Sequence, residues 1–240
     1  MKVIITMAGR GQRFIDAGYK CPKYMIDALG KSLFEWSMLS LADFFSNKFI
    51  FIIRKEDEPE RFMVSKCASL GINDFDILSL PATTDGQATT VLAAADYLND
   101  SDSIAVYNID THVKAMLLKK EDLTGEGFIP GFRAEGSKWS FISLDINQRV
   151  VNIAEKVPIS DIATLGFYYF KSFRIYKEYY NRSFQNNSNL VNGEKYIAPI
   201  YKTMIEDNLP VFGSIIPTDG VWGLGTPDDL NFFVKNYDSK

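Results

Sequence analysis

Cysteine is scarce. The 240 residues contain two, Cys21 and Cys67, far apart and outside any CxxC pair. That excludes a disulfide framework and leaves no zinc-site spacing, so a reducing cytoplasm is the expected compartment. Histidine is scarcer still: His112 stands alone and is expected as a neighbour of a site or a partly buried side chain rather than a ligand or base. Positive charge is not in excess, with 26 Lys and Arg against 30 Asp and Glu and a net charge of -4. A general nucleic-acid or lipid-headgroup binder carries a basic face that releases counterions, so neither partner is expected, and any bound anion must be held locally. No stretch reaches the ~18 apolar residues of a membrane span, and the short apolar run after Lys2 lacks the longer core of a signal peptide. Internal repeats are absent. The one polar low-complexity patch, Gln185-Asn186-Asn187-Ser188-Asn189, reads as a surface loop.

What is present is apolar material, 46% hydrophobic and 14% aromatic, enough for one compact domain over 1–240 with no internal linker. Short β-branched runs at 3–7, 49–53, 75–80 and 104–107 predict strands. Between them, Phe34, Met38, Leu41 and Phe45 fall at helical spacing, and Val91, Ala94, Ala95 and Leu98 mark a second helix starting near Gly86. That βαβαβ rhythm predicts an α/β fold with a mostly parallel sheet covered by helices on both faces. The second half changes character. Runs at 128–132, 139–144, 150–154 and 167–170 come close together, with Asp145-Ile146-Asn147 as a turn, and predict appended antiparallel strands. Helices are expected near 197–205 and 227–236, the last with Thr226 as N-cap, Pro227 at the first helical position, and Asp228 and Asp229 in the first turn.

Ligands of open α/β sheets bind at the carboxyl ends of the strands, which directs attention to the loops after Met7, Leu80 and Tyr107. The first reads Met7-Ala8-Gly9-Arg10-Gly11-Gln12-Arg13-Phe14. Glycines let backbone N–H groups turn toward an anion, and an arginine adds a fork of donors for phosphate oxygens. It is not a dinucleotide fingerprint, because Phe14 stands where the third glycine belongs. Nor is Gly30-Lys31-Ser32 a P-loop, because Met25 stands where the upstream glycine belongs. An ordinary tight turn is the competing reading. The second loop, Asp85-Gly86-Gln87-Ala88, opens a helix. A glycine there admits a flat base and Gln87 offers a donor and an acceptor to its edge, while a plain helix start capped by Asp85 is equally consistent. The third, Asn108-Ile109-Asp110, places a carboxylate suited to Mg²⁺ at a strand's end, or a simple turn-forming aspartate.

The glycine loop is followed by Cys21-Pro22-Lys23 and by Gly30-Lys31-Ser32-Leu33-Phe34-Glu35, then Glu155-Lys156-Val157-Pro158 and Gly166-Phe167-Tyr168-Tyr169-Phe170. This series, spread over most of the chain, resembles the sugar-phosphate nucleotidylyltransferases. The resemblance implies a Rossmann-like GT-A fold whose half at about 1–115 binds a nucleoside triphosphate and whose half at about 116–240 binds a phosphorylated acceptor. It implies that Arg13 and Lys23 act on the triphosphate, that Met7, Ala8, Gly9 and Gly11 cradle it, and that Asp85, Gly86, Gln87 and Ala88 receive the base. Lys156 with Glu155 and Gly166 is then the acceptor side, and Asp110 a ligand of Mg²⁺. One departure stands out: Gly223 occupies the place of the second metal aspartate, so either Asp219 supplies that bond or Asp110 and the phosphates hold the ion without it. Met-Ala-Gly-x-Gly-x-Arg-Phe with Ala17-Gly18-Tyr19-Lys20 looks closest to cytidylyltransferase-type members of capsule and surface-polysaccharide systems. That similarity favours CTP with a sugar 1-phosphate or a phosphorylated alcohol or amino acid. A glycosyltransferase of the same fold and a non-catalytic nucleotide-binding subunit are the rival readings, and nothing in the sequence specifies an oligomeric state.

Overall fold

The computed structural model describes residues 1–57, 59–186 and 189–237. Lys2–Thr6 lies inside a ten-stranded sheet. Val3, Ile4 and Ile5 are wholly buried because both sheet faces are covered, which is why the sequence there runs apolar without alternation. Lys48–Arg54 and Ile104–Asn108 flank this strand in parallel, so that Thr6 faces Ile52 on one side and Asn108 on the other. Phe75–Leu80 extends the parallel part beyond Lys48–Arg54. The chain thus leaves the first strand toward one edge and later returns to its other side, and strand order reverses between Lys2–Thr6 and Ile104–Asn108.

Beyond Ile104–Asn108 the sheet becomes antiparallel, as the spacing of the later runs predicts. Phe167–Phe170 pairs with it, Gly127–Arg133 follows, and Ser140–Leu144 with Val150–Glu155 forms the far edge. Two sheet strands lie outside the sequence reading. Val211–Ile216 runs parallel to Gly127–Arg133, and Ile162–Thr164 is separated from Phe167–Phe170 by Leu165 and Gly166 alone. Gly166, at φ 74, makes that break possible, and a Cβ there would sit 2.3 Å from the Asn108 side-chain nitrogen.

The helices are shorter than their apolar stripes. Leu33–Leu39 stops before Leu41 and Phe45 and continues as a 3₁₀ turn, Ala42–Phe44. Ser40 explains the change: its hydroxyl accepts from Val113 N–H at 2.8 Å, and the following N–H groups bond three residues back, Leu41 to Met38 at 2.8 Å. Gln87–Leu92 likewise tightens into Ala95–Tyr97. In Leu33–Leu39 the Ser32 hydroxyl and Glu35 carboxylate form a reciprocal capping box, so the glutamate of the Gly30-to-Glu35 segment serves helix initiation. Ala198–Glu206 and Pro227–Asn236 lie where expected, and the Thr226 hydroxyl accepts from Asp229 N–H. Phe173–Phe184 and Glu60–Leu70 complete the covering layers. Gln185 and Asn186 form an exposed turn, while Asn187 and Ser188 of the expected surface loop lie outside the described residues. Among the described residues no helix is long and apolar enough to cross a membrane.

His112 is 2% exposed and is packed against Trp36, Phe233 and Tyr237. Its Nδ1 lies 2.7 Å from the Trp36 carbonyl, which can only accept, so the proton sits on Nδ1. Burial pushes its pKa from 6.5 down to about 4, against the raising effect of that hydrogen bond. The unfolded chain therefore binds a proton between pH 6.5 and 4 that the folded chain refuses. Stability from this residue is present above pH 6.5 and is lost as pH falls toward 4. Denaturant unfolding at pH 7 and pH 5 should show a loss of about 2 kcal/mol that His112→Asn largely abolishes. Equal pH slopes in the two proteins would remove this account.

Candidate active site

A cleft of about 680 Å³ opens at the carboxyl ends of the parallel strands, over the point where strand order reverses. Its floor is the glycine loop. Met7 N–H still bonds to Ile52 O, keeping Met7 and Ala8 buried, after which Gly9, Arg10, Gly11 and Gln12 line the opening. Gly11 then opens the short helix Gln12–Asp16, anchored by the buried ring of Phe14 against Tyr19. Arg13 falls within that helix, is exposed, and is not among the lining residues; its charge reaches Tyr196, whose hydroxyl donates to the lining residue Glu194. Arg10, which the sequence reading passes over, lines the cleft instead.

Lys23 follows Pro22 in a 3₁₀ turn, Lys23–Met25, and enters the cleft beside Gly11. Its Nζ donates to Asp110 Oδ2 at 3.1 Å, joining two residues 87 positions apart. Asp110 stands just beyond Ile104–Asn108. Its carbonyl accepts from Leu224 N–H at 2.7 Å, and its carboxyl comes within 3.4 Å of where a Cβ on Gly225 would be. Also lining the cleft, Arg54 pairs with Asp57 at 2.6 Å and Tyr24 donates to the same carboxylate at 3.1 Å, a brace that the sequence does not announce.

Gly86 and Gln87 form the opposite wall with Thr83, Thr84 and Thr90, whereas Asp85 and the buried Ala88, expected at the base, are not among the lining residues. Asp85 does not cap the helix Gln87–Leu92 but pairs with Lys195 at 2.7 Å. Burial would raise its pKa, yet hydrogen bonds from Lys195 and Thr89 outweigh this and hold the carboxyl below its usual range. The Gln87 amide nitrogen donates to Thr6 Oγ1 at 3.0 Å and to the Asn108 side-chain oxygen, so what it offers a base edge is its carbonyl oxygen. The expectation of both a donor and an acceptor at Gln87 is corrected accordingly.

Glu155 and Lys156, at the end of the edge strand Val150–Glu155, are not among the residues that line this cleft, nor is Gly166; Lys156 reaches it through Tyr196 and Glu194. Glu155 accepts from the Ser140 hydroxyl, and burial raises its pKa against that bond and the nearby Lys156. Lys156 Nζ donates to the Tyr196 hydroxyl. Gly166 lies against Asn108, whose N–H bonds to the Gly166 carbonyl at 3.0 Å. Asp219, by contrast, is not brought to Asp110. It is exposed in the turn Thr218–Gly220, at the end of the ribbon where Gly220 meets Lys114, whereas Gly223 pairs with Thr111 beside Asp110. Three steps along the strand Val221–Gly223, roughly 10 Å, separate the two ends. At Gly223 itself a Cβ would meet only ordinary contacts at 3.5 Å, to Asp229 and Trp139, so lack of space does not explain the missing aspartate.

No group of three or more His, Cys, Asp or Glu among the described residues is placed to hold a metal. An all-protein cage is thereby absent from them. Asp110, partly exposed at the cleft, fits the other mode, in which a hard cation keeps several waters and binds through one carboxylate and substrate phosphates.

The model of the nucleotidyl transferase family matches residues 2–230. A solved nucleoside-diphosphate-sugar pyrophosphorylase from Vibrio cholerae RC9 is 35% identical at a TM-score of 0.89, over 98% of this chain and 100% of that one. The inositol-1-phosphate CTP transferase from T. maritima shares 15% identity at a TM-score of 0.78, over 100% of this chain and 95% of that one, a likeness of fold. No curated protein matches the chain.

Proposed function

The chain belongs to the nucleotidyl transferase family, and we propose that it joins a nucleoside triphosphate to a phosphorylated small acceptor with release of pyrophosphate. The observation that carries this reading is the meeting of Lys23 and Asp110 at 3.1 Å, in a cleft floored by the glycine loop. An oxygen of the acceptor phosphate attacks the α-phosphorus, the bond to the β-phosphate oxygen breaks, and pyrophosphate leaves. The acceptor oxygen is anionic at neutral pH, so no protein nucleophile or general base is needed; the chain contributes positioning and charge neutralisation. Backbone from Met7 to Gly11 cradles the phosphates and Lys23 neutralises charge as the bond breaks, with Arg10 rather than Arg13 lining the cleft beside them. Asp110 would hold Mg²⁺, which when bound supplies charge stabilisation to the phosphate oxygens.

The nucleotide half is 1–115 and the acceptor half 116–240. Every cleft-lining residue but Glu194 falls in the first, in keeping with that division. CTP is the proposed nucleotide on the likeness of Met7 to Phe14 and Ala17 to Lys20 to cytidylyltransferase-type members; the Gln87 carbonyl oxygen can accept from the amino group of cytosine, as it can from the N–H donors of the other bases. The acceptor is proposed as a sugar 1-phosphate or a phosphorylated alcohol or amino acid, gripped by Lys156, for capsule or surface-polysaccharide assembly in the cytoplasm. The 35% identity to a nucleoside-diphosphate-sugar pyrophosphorylase supports the sugar 1-phosphate first.

Pyrophosphate release measured with CTP, UTP, dTTP and GTP against a panel of such acceptors tests the reading. Release should require one nucleotide and one acceptor class; nucleotide binding without release across the panel would leave a non-catalytic nucleotide binder. In the active pair, Asp110→Asn should shift the Mg²⁺ titration about tenfold or more, the scale of one charge-assisted contact of roughly 1.5–3 kcal/mol. An unchanged titration would take the metal away from Asp110.

A further inference from the structure

The short segment 194–196 ties the loop 85–88 to Lys156. Lys195 N–H donates to Asp85 O at 2.8 Å, and Ala88 N–H donates to Lys195 O at 3.0 Å, so this backbone lies flat on the loop that walls the nucleotide side. The Lys195 ammonium pairs with Asp85 and stands over the rings of Tyr180 and Phe184. One residue on, Tyr196 faces the other way. Its hydroxyl accepts from Lys156 Nζ and donates to Glu194 Oε2 at 2.6 Å, and its ring centroid lies 4.1 Å from the same ammonium. Burial and the bond to Glu194 raise the tyrosine's pKa, so the hydroxyl stays protonated and available for that bond.

Lys156 is unusual in its own right. Its backbone is left-handed, at φ 57, a conformation that an L-residue with a long side chain rarely adopts, and its N–H is held by Trp139 O at 3.0 Å. A lysine side chain has many rotamers, and a flexible ammonium must be ordered whenever it grips an anion. Here a hydroxyl and an aromatic face meet it before any anion arrives. The part of the chain that supplies both is bolted to the nucleotide loop rather than to Lys156's own strand.

We infer that Tyr196 is a positioning residue: it holds the Lys156 ammonium where the acceptor phosphate enters, at a place fixed relative to the nucleotide. The inference rests on the assignment of Lys156 to the acceptor. Tyr196→Phe keeps the ring and removes the hydroxyl; Tyr196→Leu removes both. With the active nucleotide and acceptor pair, Tyr196→Phe should raise the acceptor KM about tenfold, as expected for a lost hydrogen bond to a charged group, and Tyr196→Leu should raise it further. Nucleotide affinity measured by calorimetry without acceptor should stay within about twofold in Tyr196→Phe, a split that general misfolding would not produce.

The double variant Lys156→Ala with Tyr196→Phe should be no worse than Lys156→Ala alone. Limited labelling with an amine-reactive reagent, read by peptide mass spectrometry in the absence of substrates, should find Lys156 several-fold more reactive in Tyr196→Phe than in the unaltered protein. Losses that add in full, or unchanged labelling, overturn the positioning role while Lys156→Ala keeps its effect on the acceptor. A Lys156→Ala protein with unaltered acceptor KM overturns the acceptor assignment itself and this inference with it.

Discussion

Lys23→Ala should lower turnover by about 100-fold or more, the scale on which one donor aimed at developing charge contributes to catalysis. Pro22, at φ -51, begins the turn that lifts Lys23 into the cleft, and the ammonium there meets the Asp110 carboxylate. The two side chains are 16% and 37% exposed, so their mutual attraction is screened and adds at most about 1 kcal/mol to the stability of the fold. The variant should therefore melt within a few degrees of the unaltered protein while losing nearly all activity. That contrast separates a catalytic charge from a structural one. Turnover within a few-fold of normal, in a folded variant, would end the assignment, and a melting point that fell in step with activity would make Lys23 a structural lysine.

Gly86→Ala should be the most damaging single methyl group at the site. Gly86 has φ 143 and ψ 171, a region that only glycine enters freely. A Cβ would stand 2.4 Å from Lys195 O and 2.5 Å from Lys195 N, and these are backbone atoms already engaged with Asp85 and Ala88. Strain and overlap together should destabilise the protein by about 2–5 kcal/mol. Nucleotide affinity should fall at least tenfold, because relief requires the loops 85–88 and 194–196 to move apart. Gly193→Ala provides the comparison. Its φ of 81 is also left-handed, but no atom lies within 4 Å of a Cβ there, so it should show the conformational penalty alone, about 1 kcal/mol. Denaturant unfolding and calorimetry on both variants check the pair of expectations; equal, small losses would mean that the backbone contact at Gly86 is easily relaxed.

The parallel strands could be read directly because burial on both faces writes them as continuous apolar runs, as in Phe49 to Ile53, which show no exposed surface. The helices could be located but not measured. An apolar stripe continues through a 3₁₀ turn almost unchanged, and the Ser40 hydroxyl that ends Leu33–Leu39 takes its partner from Val113, 73 residues away. Val211–Ile216 escaped because its place beside Gly127–Arg133 depends on a pairing that no local pattern encodes. Phe173–Phe184 did carry a signal, since Phe173, Tyr176, Tyr180 and Phe184 recur at helical spacing and are all buried.

At the site, Lys23, Asp110, Gly86 and Gln87 lie in one cleft because each follows a strand or turn whose position the pattern implies. Arg13 does not line it. The helix starts at Gln12, which leaves Arg10 in the loop and carries Arg13 into a turn whose buried member is Phe14. Asp219 is near Gly223 in number but at the opposite end of an extended ribbon. Tyr196 was invisible, since its meaning lies in a lysine 40 positions away and in loop contacts more than 100 positions away.

The pairing of Phe167–Phe170 with Ile104–Asn108 bears on how this chain can be cut. A fragment ending near residue 115 would keep the glycine loop, Lys23 and Asp110 yet strip one edge of Ile104–Asn108, a strand buried almost throughout. That bare edge, Ile-Ala-Val-Tyr-Asn, would offer its unpaired backbone and apolar side chains to any neighbouring chain, an invitation to aggregate. The proposed division of labour between nucleotide and acceptor halves is therefore one of chemistry and not of assembly.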